Sequence, residues 1–115
     1  MARGDIFTVS LPVPSGSAGH EQIGPRPAIV VQTDITDSRL PTTVIVPMTS
    51  KLTALRFPHT IQIDPSSQNG LAKPSVLLVF QLRAIDKGRL GRKLGRLEQQ
   101  HMKQLETEVQ HLLGL

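Results

Sequence analysis

The stretch HEQIGPRP, residues 20–27, sets Arg26 between two prolines, with His20 and Glu21 a few positions upstream. Proline fixes its own φ and restricts the residue before it, so this guanidinium is carried on stiffened backbone. A second polar pair, Thr49 and Ser50, closes the stretch VPMTS. Arginine keeps its charge under ordinary conditions and offers a rigid fork of donors, which suits a phosphate gaining charge in a pentacoordinate transition state. A threonine hydroxyl can donate to a phosphoryl oxygen at the same site, and glutamate or histidine can move protons. These are the parts needed for RNA cleavage by a ribose 2′-hydroxyl, a reaction that uses neither a metal nor an enzyme nucleophile. The same residues also fit a plain structural role, with Arg26 pairing with Glu21 and Thr49 serving as one more β-branched strand residue. Composition and spacing alone favour the plain role.

Other chemistries find no residues to carry them. The chain has no cysteine, which removes disulfides, thiol nucleophiles and cysteine zinc sites and suits a reducing cytoplasm. His20, His59, His101 and His111 lack metal-ligand spacing, and His101 and His111 fall on different faces of one helix, so no metal or cofactor is expected. Neither a G-x-S-x-G elbow nor a P-loop is present, and the glycines 88, 91 and 95 of GRLGRKLG read as turns. Lys and Arg outnumber Asp and Glu by 13 to 9, a mild preference for polyanions. Arg83, Lys87, Arg89, Arg92, Lys93 and Arg96 share their window with one acid, Asp86. That run is either a solvated basic edge or a surface that tracks phosphates. With no Trp or Tyr, stacking on aromatic platforms cannot dominate nucleic-acid binding.

The elements that must position these residues are mostly short strands. The 115 residues predict one domain, 1–115, with no signal peptide and no apolar run of the roughly 18 residues a membrane span needs. DIFTVSL alternates as a half-buried strand, AIVVQTD reads as a buried one, and TTVIVPMT as a third with Pro47 marking an edge or an end. Residues 12–27 form a long loop with few apolar anchors, expected to be mobile and functional. TIQID is another strand, PSSQNG a turn, and SVLLVFQL an apolar run that needs cover on both faces. From Glu98, Met102, Leu105, Val109, Leu112 and Leu113 make one helical stripe that Gly114 ends. Five or six mainly antiparallel strands and a C-terminal helix predict a mainly β (α+β) fold, a small curled sheet or barrel.

Taken together, RGDIFTVSL, GHEQIGPRPAIVVQTD, TVIVPMTS and GLAKPSVLLVFQLRAIDKGRLGRKLGRL resemble the MazF/PemK family of toxin endoribonucleases nearly end to end. The order EQ-x-G-x-RP, apolar strand, P-x-TS is the specific part. The resemblance implies a strongly curved antiparallel sheet of the SH3-like MazF/CcdB type and a cytoplasmic homodimer. It implies metal-independent, sequence-specific cleavage of single-stranded RNA, and neutralisation by the C-terminal segment of a MazE-like antitoxin. Carried onto this chain, it makes Arg26 and Thr49 catalytic, with Glu21 as base or orienter of Arg26. It makes Gln81, Ser50, Ser75 and His20 RNA-groove residues. In the PemK-like branch an acid precedes the Q-x-R glutamine; here Phe80 stands there, so the chain looks closer to the MazF-like branch, and Phe80 is read as a core residue, with a single stacking surface as the alternative. Asp86 is read as a structural partner or cap. The competing readings are a CcdB-like gyrase-binding toxin and a non-catalytic RNA-binding module.

Overall fold

The computed structural model describes residues 2–10, 26–33 and 39–115. The loop expected over 12–27 therefore lies outside the described residues as far as position 25. Among the described residues, seven antiparallel strands form one sheet: β1 (Asp5–Val9), β2 (Arg26–Val30), β3 (Thr42–Thr49), β4 (Thr60–Ile63), β5 (Ser75–Leu78), β6 (Arg83–Asp86) and β7 (Leu90–Arg96). Their order is β4-β5-β3-β2-β1-β7, with β6 also on β3. Among the described residues, short 3₁₀ turns occupy Leu52–Arg56, Val79–Gln81 and Lys87–Arg89, and one helix, α1 (Gln99–Leu113), follows. No helix among the described residues is long and apolar enough to cross a membrane.

β3 is the strand that curls the sheet. One edge pairs with β2, while the other pairs with β6 over Thr42–Ile45 and with β5 over Met48–Thr49. Pro47 thus stands inside a central strand, not at the edge its type predicts. The hydrogen-bond alternation explains why. Val31 N–H donates to Val44 O (3.0 Å), which makes Ala28–Pro47 a non-hydrogen-bonded pair. The proline nitrogen then faces away from β2, into the gap where β6 has ended and β5 has not begun, so no donor is missed there.

Side chains alternate between two apolar clusters. Ile6, Ile29, Val46, Met48, Ile63, Leu77 and Leu97 join Leu105 of α1 in the larger one. Val9, Ala28, Val30, Ile45 and Ile85 form the other. Met102, Val109 and Leu112 pack against the first cluster, but Leu113 is 55 % exposed, because a 3.6-residue period carries it off that seam. Gly114 ends the helix at φ +71°, as its type predicts.

Two further expectations change. The apolar run SVLLVFQL is a strand for only four buried residues and then turns, leaving Phe80 exposed against Phe57 (ring centroids 5.6 Å apart) rather than in the core. The segment LGRKLGR is strand β7, which together with β6 takes the count past the five or six expected. Its glycines serve close approach, not turning: a Cβ on Gly95 would lie 2.3 Å from Gln68 O and one on Gly91 2.4 Å from Thr8 Oγ1.

The turn at 64–71 is held from within. Buried Asn69 accepts at Oδ1 from Ser66 N (3.0 Å) and Leu71 N (3.0 Å) and donates through Nδ2 to Asp64 O (2.9 Å). Burial pushes the Glu98 carboxyl up, but donors from Ser66 and Asn69 hold it below the usual carboxylate range. This turn leads directly into residues 70–73, the wall of a groove beside β2 and β3.

Candidate functional site

Continued two residues beyond Ala28–Pro47, the β2–β3 register sets Arg26 opposite Thr49. The pairing itself stops short of them. The same alternation that spares Pro47 turns the Pro27 nitrogen toward β3, where it has no proton to give. The ladder therefore opens after Ala28, and a groove of about 310 Å³ fills the opening. Arg26, Thr49 and Ser50 line one side, and Gly70, Lys73 and Ser75 another. Thr8 and Arg92 close it from β1 and β7. The cations among these are Arg26, Lys73 and Arg92, and no carboxylate lines the groove among the described residues.

Thr49 is oriented for donation. Its Oγ1 accepts from Lys51 N at 3.2 Å, which leaves the hydroxyl proton available to an oxygen in the groove. Ser50 is exposed at the rim. Ser75 lines the wall but is 4 % exposed, and its hydroxyl donates to Lys73 O (3.0 Å), so it shapes the loop carrying Lys73. Gln81 stands exposed on the turn Val79–Gln81, outside this groove. His20 and Glu21 lie outside the described residues. Asp86 caps the turn Lys87–Arg89 by accepting from Gly88 N (2.8 Å), the structural role its position predicts. Among the described residues no three of His, Cys, Asp or Glu come together in a group that could hold a metal.

The basic run separates by contact. Lys93 Nζ (3.3 Å) and Arg96 Nη1 (3.0 Å) both reach Oδ1 of buried Asp5, whose Oδ2 accepts from Ala2 N (2.8 Å). Burial pushes the Asp5 carboxyl up, but the Ala2 amide and the two cations outweigh it and hold it below its ordinary value. Arg89 donates to Ser10 O (3.2 Å). Arg92 is the member of the run that reaches the groove. Neither Arg92 nor Lys73 stands out in the sequence, where the run reads as a block; the glycine before Arg92 is the available signal.

A curved antiparallel sheet with one C-terminal helix opens into a cation-lined groove beside β2 and β3. The chain belongs to the PemK-like, MazF-like toxins of type II toxin-antitoxin systems, whose family model matches residues 2–113. It is 34% identical to the endoribonuclease MazF of Staphylococcus saprophyticus over 115 residues, all of this chain and 92% of that one. It is 34% identical to endoribonuclease EndoA of Bacillus subtilis over 113 residues, 98% of this chain and 94% of the relative. A mycobacterial endoribonuclease solved in complex with its cognate antitoxin shares the fold at a TM-score of 0.76 and 21% identity, covering 100% of this chain and 96% of that one.

Proposed function

We propose that this toxin is a sequence-specific endoribonuclease that cleaves single-stranded RNA, mRNA included, and so stops translation and growth. The observation that carries the reading is the shared groove, which Arg26 and Thr49 line from adjacent strands. In the reaction, the ribose 2′-oxygen forms a bond to the adjacent phosphorus and the bond from phosphorus to the 5′-oxygen breaks. The 2′ proton passes to a base and the departing 5′-oxygen gains one, leaving a 2′,3′-cyclic phosphate and a 5′-hydroxyl. Arg26 donates to the non-bridging oxygens as their charge grows, and the Thr49 hydroxyl orients the phosphate. Glu21 is assigned as base or orienter of Arg26 and His20 and Ser50 as RNA contacts of lower rank, while Ser75 shapes the wall through Lys73 and exposed Gln81 serves as an RNA contact only beyond this groove.

The toxin acts as a cytoplasmic homodimer, where mRNA is available, and a MazE-like antitoxin covers the site through its C-terminal segment. The mycobacterial relative with its cognate antitoxin supports that partnership. The relatives named as endoribonucleases do not favour a gyrase-binding toxin.

Purified protein given a mixed RNA pool in excess chelator is expected to produce new 5′-hydroxyl ends. Arg26→Ala should lower kcat by about 10²–10³ with the fold intact, the usual loss for one donor to a developing anion. Salt-dependent RNA binding without new ends would instead make the protein a binding module. An Arg26→Ala variant that cuts at the wild-type rate would overturn the mechanism.

A further inference from the structure

We propose that Arg92 is a second phosphate-binding residue of the groove, aimed there by a bulge in β7, and that it holds an RNA phosphate next to the scissile one. The inference rests on the RNA-cleavage reading above and adds a residue to it.

The register between β1 and β7 carries the argument. Asp5 pairs with Arg96 and Ile6 with Gly95, but Phe7 pairs with Lys93 and Val9 with Leu90. β7 therefore holds one extra residue between Gly95 and Lys93, which is Leu94, and another within Gly91–Arg92, opposite Thr8. An extra residue in one strand bends it and re-aims a side chain. Both Leu94 and Arg92 line the groove that Arg26 and Thr49 share.

The bulge at Gly91–Arg92 is built into the sequence. Thr8 Oγ1 accepts from Arg92 N at 2.9 Å, satisfying an amide that the interrupted ladder leaves without a partner strand. Such a contact needs β7 to lie hard against Thr8, and only glycine at 91 permits it, since a Cβ would meet Thr8 Oγ1 at 2.4 Å. Two neighbours in the run, Lys93 and Arg96, are taken up by Asp5, and Arg89 by Ser10 O. No carboxylate or carbonyl among the described residues takes the Arg92 guanidinium, and no carboxylate among them lines the groove. A polyanion entering the groove meets Arg26 from β2 and Arg92 from β7 across Thr8 and Pro27. Successive phosphates of single-stranded RNA are the ligand that two separated guanidinium forks would fit.

The test is steady-state cleavage of a short fluorogenic RNA by Arg92→Gln, across a salt series. KM should rise about tenfold with kcat within twofold of wild type. The slope of log KM against log salt should fall by about 0.7, the share of one phosphate contact on a single strand. Gly91→Ala, which leaves every charge in place but pushes the bulge off Thr8, should raise KM in the same way. Lys103→Gln removes an equal charge from the helix surface and should leave both parameters unchanged. An Arg92→Gln enzyme with wild-type KM and salt slope overturns the proposal, as does a fall in kcat alone, or a raised KM with an unchanged slope. If the wild-type protein makes no 5′-hydroxyl ends, the RNA-cleavage reading fails instead, and the two failures are told apart in one experiment.

Discussion

At the scale of single residues, the question is what Thr49 contributes beside a guanidinium. Its oxygen accepts from Lys51 N, which fixes the hydroxyl and leaves its proton available to donate. That predicts a sharp difference between two substitutions of similar size. Thr49→Ser keeps the hydroxyl and the contact and should stay within a few-fold of the wild-type kcat. Thr49→Val keeps the shape and loses the donor, and should fall by about 10². Melting curves separate this from misfolding, because the position is half-buried at a strand end. A valine variant as fast as the serine variant would remove Thr49 from the chemistry.

At the scale of elements, β7 depends on a charged contact. It sits at one end of the sheet, slips twice against β1, and is tied to it by Asp5 through Lys93 and Arg96. Because the folded Asp5 carboxyl lies below its unfolded value, its contribution is complete above the unfolded value and is lost as pH falls through the folded one. Glu98, also held low, acts in the same direction. Denaturant melts should therefore show stability flat near neutrality and declining in the acid range below the ordinary carboxylate values. Asp5→Asn should cost about 1–3 kcal/mol at neutral pH and flatten that decline. An unchanged acid profile in the variant would show that β7 is anchored by something else.

At the scale of the whole molecule, some features were legible because local chemistry and global packing agree. The TTVIVPMT strand, the α1 stripe with its glycine stop, and the Asp86 cap each need only local pattern. The meeting of Arg26 and Thr49 at one groove follows from motif order rather than periodicity, since register is a long-range property. Pro47 misled because a strand can hold a proline centrally where its two partners on one edge change over. Gly91 and Gly95 misled because glycine marks close approach as well as turning. Phe80 looked like core because an apolar run does not say where a strand gives way to a 3₁₀ turn. Gln81 went with it, out of the groove. Lys73 and Arg92 were hidden for a related reason: which cation of a basic run faces a groove depends on a bulge.

The account stands on Arg26 and Thr49 acting on one phosphate, and a double-mutant cycle on kcat measures that coupling directly. If the two serve one transition state, the Arg26→Ala, Thr49→Val double variant should be little slower than the slower single variant. Losses that multiply in full, as expected of two groups working independently, would contradict it.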